Sequence, residues 1–407
     1  MRIMRKFLLG DHMDDCCMNT IAVCETPLHL LNVIALLQSF EAERKFSTVD
    51  LIVINQFELK GDVRERIESS GLFNSVNVVT PYYSRQSKIG TLLNSMKKGL
   101  MTKSYFQAVE KYYRGVPHKT YDCLLAGCAT AYAMDVKIQF CPQGKTAFFE
   151  EGEGSYLGNF VKSAACFDRE ILRCSKSPTR SFATTLVDLL SCHKLRFNPD
   201  SLYLYRPELV DGGIYRPVIE LRQISPLSAE PAAVVRRIFG DLADTVEAKW
   251  VFLGNPDCDV TESEFKRIQA IVTCVASHCA DLLYRPHPRS RKLPESVAAA
   301  VSQDRSESMW EIRCLNGGVD DDTVLFGFGS TAQINPVRMF GLKPTLVFLH
   351  NFLNDGIDRT CAERCYSEAK ALYGEGDKVF APASMRELES LLRRLSNVED
   401  IKNETLG

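Results

Sequence analysis

The residues best suited to chemistry lie in a short basic turn between two prolines. His287 stands between Pro286 and Pro288, and Arg285 and Arg289 flank this triplet. Proline fixes its own backbone and favours an extended residue before it, so the imidazole is expected to be held rigidly. Arginine binds phosphate through two parallel N–H donors, and a histidine can neutralise or protonate a departing oxygen. The turn therefore indicates a phosphate site with an acid, although an isolated histidine is more often structural.

Acidic residues follow two other apolar runs. Glu150 and Glu151 end the run KTAFFEE and stand before Gly152, and Asp257 ends the segment LGNPD. A carboxyl group clustered with others is expected to have a raised pKa and to accept a proton from a hydroxyl group. Each segment also has an ordinary interpretation, because acidic turns are commonly solvated and Asn-Pro-Asp is typical of turns.

Two further segments mark places where a helix follows a strand. Thr26 precedes Pro27, a favourable first helical residue, and Gly329, Ser330 and Thr331 follow the run VLFGF. Both segments are consistent with plain helix caps. Backbone N–H groups and hydroxyls at the N-terminus of a helix also bind phosphate, so these residues are candidates for holding a polar or phosphorylated ligand.

The elements that must position these residues alternate between buried strands and amphipathic helices. Strands are predicted at residues 20–25, 49–55, 75–81, 121–127, 145–151, 249–255, 281–286, 322–328 and 344–350. Helices are predicted at residues 27–40, 57–71, 88–113, 159–175, 181–194, 261–279, 329–340 and 384–395. Strands separated by helices of this length favour crossover connections and parallel sheets. Ligands bind such sheets at the carboxyl ends of the strands, where the candidate residues lie.

The alternation stops in the middle of the chain and restarts, which predicts an α/β protein with two Rossmann-like parallel-sheet domains facing a cleft. Residues 1–17 are interpreted as an N-terminal extension outside the fold. The domains are placed at residues 18–235 and 240–383, with a proline-punctuated linker near 223–245. Residues 384–407 are interpreted as a C-terminal helix and tail.

Composition narrows the classes of function. The chain of 407 residues is 45% hydrophobic and 25% charged with a net charge of −2, so no basic excess attracts nucleic acid or an anionic membrane. The fifteen cysteines are scattered without CxxC pairs. They predict reduced, mostly buried thiols in a cytosolic protein and no metal site. No apolar run has the roughly 18 residues of a membrane span.

Together these segments resemble a known order of motifs. Bacterial sialyltransferases carry a D/E-D/E-G motif, an HP motif and a later Ser/Thr-rich motif, and this chain has EEG at 150–152, HP at 287–288 and ST at 330–331. Its segments CETPLH, LGNPD and PHPR are similar to those of glycosyltransferase family 52, the lipooligosaccharide-type α-2,3-sialyltransferases. The resemblance covers most of residues 18–350 as short blocks, with Glu-Glu where that family often has Asp-Asp.

The resemblance implies an inverting, metal-independent GT-B glycosyltransferase without a cofactor, which moves sialic acid from CMP-sialic acid to a hydroxyl of a lipooligosaccharide or capsule-like glycan. It implies Asp257 as the general base and His287 as the acid that assists CMP departure. Glu150 and Glu151 are implied to be acceptor-side or supporting carboxylates, although related families place the base there. The residues assigned to the donor are Thr26, Arg285, Pro288, Arg289, Gly329, Ser330 and Thr331.

Other interpretations stay open. The same fold could use another nucleotide sugar such as UDP-glucose, or the chain could be a two-domain binding protein without activity. The expected location is the cytoplasm, and no nucleic acid partner is expected. Peripheral contact with the inner face of the cell membrane is open, since the helix at 384–395 could pack on the protein or lie on lipid. A homodimer is also open.

Overall fold

Two compact units make up the chain, Met1–Arg222 with Arg237–Phe239 and Gln223–Arg236 with Gly240–Gly407. The computed structural model describes residues 18–39, 46–55, 61–81, 102–156, 199–210, 217–225, 229–240, 248–255, 261–287, 292–304, 306, 308–353, 359–374 and 376–406. Within these ranges, none of the helices has the length and apolar character needed to cross a lipid bilayer.

A parallel sheet of seven strands is the centre of the first unit. Its strands are β1 Met18–Cys24, β2 Phe46–Ile54, β3 Ser75–Val79, β4 Cys123–Ala126, β5 Lys145–Phe149, β6 Ser201–Leu204 and β7 Val218–Glu220. Their spatial order is β3-β2-β1-β4-β5-β6-β7, and all adjacent pairs are parallel. The winding reverses between β1 and β4, which is the position where doubly wound sheets bind ligands.

Four helices connect the described strands of this sheet. They are α1 Pro27–Leu37, α2 Gly61–Ser69, α3 Lys103–Tyr112 and α4 Ala131–Phe140. Strands buried on both faces read as continuous apolar runs, and the β2 segment LIVI is buried at every position. The main core of this unit joins Ile21, Ile52 and Leu124 of the sheet to Val109 and Val136 of the helices.

The second unit repeats the same topology with six strands. They are β8 Trp250–Leu253, β9 Leu283–Arg285, β10 Ser302–Gln303, β11 Val324–Gly327, β12 Thr345–Phe348 and β13 Val379–Phe380. Their order is β10-β9-β8-β11-β12-β13, again parallel throughout, so the reversal lies between β8 and β11. The two sheets therefore place their switch points after the first strand of each unit.

The helices in the second half of the chain have unequal lengths. They are α5 Ala229–Phe239, α6 Glu262–Ala276, α7 Glu295–Ala298, α8 Trp310–Arg313, α9 Thr331–Phe340, α10 Arg359–Tyr373 and α11 Met385–Leu406. Helix α6 begins with a capping box, since Thr261 and Glu264 bond to each other's backbone N–H. The apolar face of α11 packs on the core of this unit through Leu388, Leu391 and Leu392.

The prediction of an α/β fold with two Rossmann-like parallel sheets is confirmed. Each of the nine predicted strands has an observed counterpart, shorter or longer by a few residues. Helix α4 and helix α10 lie where no helix was predicted, and α5 occupies part of the stretch interpreted as a linker. The helices predicted at 159–175 and 181–194, and the extension 1–17, lie outside the described residues. Six of the nine described cysteines are buried, in line with the prediction of mostly buried cysteines.

One buried ion pair joins two helices of the second unit. Arg338 of α9 is fully buried and donates to Glu368 of α10, with Nε 3.0 Å from Oε1 and a second bond from Nη2 to Oε2. Two charges removed from water are tolerated only while each has its partner, because the loss of one leaves the other buried and uncompensated.

We expect Arg338→Met to destabilise the second unit by about 3–5 kcal/mol, since it leaves the Glu368 carboxylate buried without its partner. The double variant Arg338→Met/Glu368→Leu removes both charges and should recover most of that loss. Urea unfolding followed by tryptophan fluorescence measures the effect. Both tryptophans of the chain, Trp250 and Trp310, are buried in this unit.

Arg359→Met is the matched control, because Arg359 pairs with Glu363 on the exposed face of α10. Exposed pairs of this type contribute only about 0.3–0.5 kcal/mol. Equal losses in Arg338→Met and Arg359→Met would contradict the assignment of stability to the buried pair.

Candidate functional site

In the first unit, an imidazole occupies the switch point of the sheet. His29 lies in the first turn of α1, directly after β1, and is 2% exposed. Its ring packs edge-on against Phe149 at the end of β5, with ring centroids 5.5 Å apart. Gly127 follows β4, and a Cβ at Gly127 would lie 2.6 Å from His29 Nε2. Only glycine therefore leaves room for this ring at the carboxyl end of β4.

The hydrogen bonds of His29 determine its tautomer. The backbone N–H of Glu25 donates to Nδ1 over 3.2 Å, so Nδ1 carries no proton and the ring proton of a neutral imidazole lies on Nε2. Nε2 is 3.7 Å from Oε1 of Glu151, which is longer than an ordinary hydrogen bond. The histidine thus directs its N–H edge toward a carboxylate.

Glu151 is the exposed member of the acidic pair. Its side chain is 36% exposed. Burial alone would raise its pKa, but the contact with His29 and a hydrogen bond from Cys128 outweigh burial, and the pKa lies below its ordinary value. The expectation of a raised pKa was therefore wrong for this residue. A carboxylate in this state is ionised at neutral pH and can accept a hydrogen bond or a proton from a hydroxyl group.

Glu150 has a different environment. Its side chain is 3% exposed, and Oε2 accepts hydrogen bonds from the Tyr156 hydroxyl and from the backbone N–H of Tyr205 at 3.0 Å. The side-chain amide of Asn32 donates to the Glu150 carbonyl at 2.7 Å and accepts from the Tyr205 hydroxyl at 2.9 Å. Glu150 thus ties the end of β5 to α1 and to the end of β6. Its assignment as a catalytic residue stays a prediction.

Thr26 caps helix α1 as the ordinary interpretation predicts. Its hydroxyl accepts from the His29 backbone N–H at 3.1 Å. This bond fixes the first helical turn and with it the start of the His29 side chain. The assignment of Thr26 to donor binding stays a prediction, since this hydroxyl already has a partner.

In the second unit, Arg285 ends strand β9 and is held by four groups. Its guanidinium lies 2.6 Å from Asp304 Oδ2 and 3.2 Å from the Ser306 hydroxyl, and it donates to the Ser308 carbonyl. The Trp310 ring lies 5.8 Å from the guanidinium carbon, within range of a cation–π contact. Arg285 therefore fixes the position of this strand end. Its predicted contact with the nucleotide-sugar donor would come in addition to these bonds and stays a prediction.

Trp310 connects this strand end to helix α9. Its indole N–H donates to the Ala332 carbonyl at 2.7 Å. Helix α9 contains Pro336, which has no N–H to offer to the carbonyl four residues earlier, that of Ala332. The indole supplies the missing donor. The basic turn and the Gly-Ser-Thr segment are thus joined through one tryptophan.

The histidine of the HP motif is described, whereas Pro288 and Arg289 after it lie outside the described residues. His287 is half-buried beside Gly254, the residue after β8. A Cβ at Gly254 would lie 3.1 Å from the His287 backbone N and 2.8 Å from the Tyr284 hydroxyl. The structure thus brings Gly254 of the predicted LG-x-P-D segment next to His287 of the HP motif. Asp257, Pro288 and Arg289 are not among the described residues, and their roles stay predictions.

The Gly-Ser-Thr segment lies at the switch point of the second sheet. Gly329 has a φ of +87° and donates its N–H to the Gln333 side chain at 3.1 Å. Ser330 precedes α9 and Thr331 is its first residue, yet the Ser330 hydroxyl does not cap the helix. This hydroxyl is buried and has no hydrogen-bond partner among the described residues. An unpaired buried hydroxyl costs about 1–3 kcal/mol, so a ligand atom that bonds to it would be stabilising.

Several residues that build these two sites were not identified from the sequence. The CETPLH segment contains His29, but its pattern assigns no role to this histidine, and none of the motifs includes Asn32, Cys128, Trp310 or Gln333. Their partners lie up to 173 positions away, as in the bond between Tyr205 and Asn32. The one available signal was a polar side chain, Asn32, inside the apolar stripe of helix α1.

Comparison with known proteins gives similarity only to solved structures. No model of a known protein family matches the chain, and no curated protein matches it. The chain is similar to TcCGT1 in complex with UDP, with a TM-score of 0.49 and 11% identity over 96% of this chain and 93% of that one. A putative UDP-N-acetylglucosamine 2-epimerase from Listeria monocytogenes is similar with a TM-score of 0.47 and 10% identity over 94% of this chain and 88% of that one. The E. coli heptosyltransferase WaaC with ADP-2-deoxy-2-fluoro heptose is similar with a TM-score of 0.40 and 9% identity over 94% of this chain and 100% of that one. At TM-scores below 0.5, such likeness assigns no activity, donor or acceptor to this chain.

We expect Gly329→Ala to destabilise the second unit by roughly 2–5 kcal/mol. A left-handed backbone costs a non-glycine residue about 1–2 kcal/mol, and overpacking typically costs 1–3 kcal/mol more. The overpacking arises because the new Cβ would lie 2.5 Å from the Cβ of Ala362 in α10. Urea unfolding followed by tryptophan fluorescence measures the loss.

Gly317→Ala is the matched control for this contact. Gly317 has the same φ of +87°, but no atom lies within 4 Å of its added Cβ. It should lose only the backbone contribution, about 1–2 kcal/mol. If the two variants lose the same stability, the close approach of α10 to the Gly-Ser-Thr segment does not constrain this position.

Asp304 gives the Arg285 site a defined dependence on pH. Burial alone would raise its pKa, but hydrogen bonds from Ser306 and the charge of Arg285 hold the pKa below its ordinary value of 3.8. A carboxyl group with a depressed pKa stabilises the fold above its unfolded pKa, and this contribution is lost as pH falls through the folded value. We expect Asp304→Asn to be less stable than the wild type at neutral pH, by a margin that shrinks as pH falls below 3.8.

Unfolding titrations from pH 7 down to the acid limit, again read by tryptophan fluorescence, measure this margin. Asp377→Asn is the control, because Asp377 is an exposed carboxylate in the same unit as both tryptophans. A margin for Asp304→Asn that is constant across this range would show that the ionised form of Asp304 does not stabilise the site.

Proposed function

We propose that the chain is an inverting glycosyltransferase of GT-B type that transfers a sugar from a nucleotide-activated donor to a glycan hydroxyl. One observation carries the proposal. Every motif residue that the structure describes lies at the carboxyl end of a parallel strand, at or next to the switch point of its sheet. This is where doubly wound sheets bind nucleotides and their substrates. A two-domain binding protein without activity would not require ionisable and polar motif residues at the switch points of both sheets.

The second unit supports donor binding. The N-terminus of α9 offers backbone N–H groups, the positive end of a helix dipole and the Ser330 hydroxyl to a phosphate. His287 follows β9, which β8 separates from β11 in the sheet. It is the group proposed to neutralise the charge that develops on the departing phosphate oxygen. Arg289 and Pro288 are assigned to the same site on the resemblance alone.

The first unit supports acceptor binding. Glu151 is ionised and partly exposed beside His29, so it can accept a hydrogen bond from a sugar hydroxyl. Glu150 is proposed to support it by fixing the backbone of this turn through Tyr205 and Asn32. The general base is assigned to Asp257 on the resemblance to family 52.

The proposed reaction is a single displacement. The acceptor oxygen forms a bond to the anomeric carbon, its proton passes to the base, and the bond from that carbon to the phosphate oxygen breaks. The electron pair of that bond stays on the nucleotide phosphate, where His287 and the α9 N-terminus stabilise it. Positioned acid–base groups of this kind contribute about 10²–10⁴-fold each.

The resemblance to family 52 favours CMP-sialic acid as the donor and a lipooligosaccharide or capsule-like glycan as the acceptor. The EEG, LGNPD, PHPR and ST segments support this choice in their order along the chain. A uridine or guanosine nucleotide as leaving group is the alternative that a direct comparison of ligands distinguishes.

We expect CMP to stabilise the second unit against heating more than UDP or GDP. A ligand present at 100 times its Kd adds about 2.7 kcal/mol, which corresponds to a rise of roughly 5–10 °C in Tm for a domain of this size. The shift is read by tryptophan fluorescence. CMP-sialic acid with a glycan acceptor should then give acceptor-dependent release of CMP.

His287→Ala should lower the turnover number by about 10²–10⁴-fold with CMP binding retained. His278→Ala is the matched control, because His278 is half-buried like His287 but lies just after α6, where its Nδ1 is 2.9 Å from the Cys274 carbonyl. Preferential stabilisation by UDP would reassign the donor. An absence of stabilisation by all three nucleotides, together with no CMP release, would contradict the proposed function.

A further inference from the structure

The Nε2 atom of His29 is an unusual polar group. His29 is 2% exposed, and Nε2 is buried without a hydrogen-bond partner among the described residues. The other ring nitrogen, Nδ1, accepts a hydrogen bond from the Glu25 N–H. In the neutral imidazole Nε2 is therefore the donor. Buried donors are rarely left unpaired in folded proteins, and an exception calls for an explanation. The group that Nε2 faces is the carboxylate of Glu151, 3.7 Å away.

The surroundings fix this orientation of the ring. Gly127 lies so close to His29 that no side chain fits between them, and Phe149 packs against the ring. The His29 backbone is held by the Thr26 cap. The ring therefore cannot turn its N–H edge away from Glu151 without losing the bond from Glu25.

Glu151 is anchored on its other sides but keeps an accessible surface. Its backbone N–H donates to the Ser155 hydroxyl at 2.8 Å, and Cys128 donates a weak S–H hydrogen bond to its carboxylate. About a third of the side chain remains exposed, 36% by accessible area. A carboxylate whose position is fixed by neighbouring residues and whose remaining surface is exposed can bind a hydroxyl group without reorganising.

We propose that His29 is a positioning residue whose Nε2–H holds the Glu151 carboxylate in the orientation in which Glu151 accepts a hydrogen bond from a hydroxyl of the sugar acceptor. The ligand class is thus a polyhydroxylated glycan, bound by the first unit. The inference rests on the proposed function, because it takes the ligand to be the acceptor of the transfer.

The pH dependence of this pair involves few groups. Among the described residues, the titratable side chains that act on Glu151 are His29 from α1 and Cys128 after β4. Glu25, after β1, acts on Cys128 through its charge, and burial together with these carboxylates raises the pKa of the thiol. Removal of the His29 donor leaves burial in place, so the pKa of Glu151 should rise.

Two substitutions at position 29 separate positioning from packing. His29→Asn can still accept the Glu25 N–H but is too short to reach Glu151, whereas His29→Gln keeps an N–H donor near the position of Nε2. Carboxyl titrations by ¹³C NMR, with Glu151→Gln to assign the signal, should show a higher Glu151 pKa in His29→Asn and a value close to wild type in His29→Gln. His278→Asn is the matched control and should leave the signal unchanged. An unchanged Glu151 titration in His29→Asn would overturn the proposal.

Kinetics test the ligand. His29→Asn should raise the acceptor KM by roughly tenfold to a hundredfold, while the donor KM and the stabilisation by CMP stay at wild-type values. His29→Gln should recover most of the loss, and His29→Asn/Glu151→Gln should be no worse than Glu151→Gln alone. Glu68→Gln, in an exposed pair with Arg64, is the control for loss of a carboxylate.

The outcomes distinguish this inference from the proposed function. Normal CMP release with an unchanged acceptor KM in His29→Asn would overturn the inference and leave the proposed function standing. The inference would also be overturned if the increase in acceptor KM of the double variant equalled the product of the increases in the two single variants. His29 and Glu151 would then contribute independently to acceptor binding. A failure to bind any nucleotide, with no transfer, would overturn the proposed function and the acceptor as ligand, whereas the NMR titration would still decide the contact between His29 and Glu151.

Discussion

Close approach at a glycine is the constraint on which both sites depend. Parallel strands that reverse their winding leave a gap at their carboxyl ends, and a glycine beside this gap lets a neighbouring group approach the backbone closely. Gly127 admits the His29 ring in the first unit, and Gly254 admits the turn that carries His287 in the second. The same topology therefore produces a histidine beside the first strand of each unit from unrelated local sequences.

Buried polar side chains then hold the surrounding turns in place. Asn32 bonds to the Glu150 carbonyl and to Tyr205, which joins α1, β5 and the end of β6. Gln333 performs a similar task in the second unit, where it donates to the Leu325 and Val347 carbonyls and accepts from Gly329. Each of these amides satisfies backbone groups at strand ends that water would otherwise have to reach. These bonds fix the backbone at the positions that Asn32 and Gln333 contact.

The sequence predicts the sheets well and part of the helices. Strands such as β2 and β11 are buried at nearly every position and read as apolar runs, whereas α4 has buried residues on several faces and therefore no clear stripe. The inward stripe of α10 consists of three small residues and one charged residue, which carry little hydrophobic signal: Ala362, Cys365, Ala369 and Glu368. Contacts between distant positions, such as Trp310 with Ala332 or His29 with Glu151, depend on the folded topology, and no local pattern encodes them.

The adjacent residues Glu150 and Glu151 show why a sequence motif does not by itself assign a role. Successive side chains at the end of an extended strand point to opposite sides, so the two carboxylates enter different environments. Glu150 turns inward and bonds to Tyr205 N–H, while Glu151 faces His29 and keeps part of its surface exposed. Repulsion between the two carboxylates would have raised the pKa of Glu151. The donors His29 and Cys128 lower it instead. One carboxylate stabilises the turn, and this leaves the other available to a ligand.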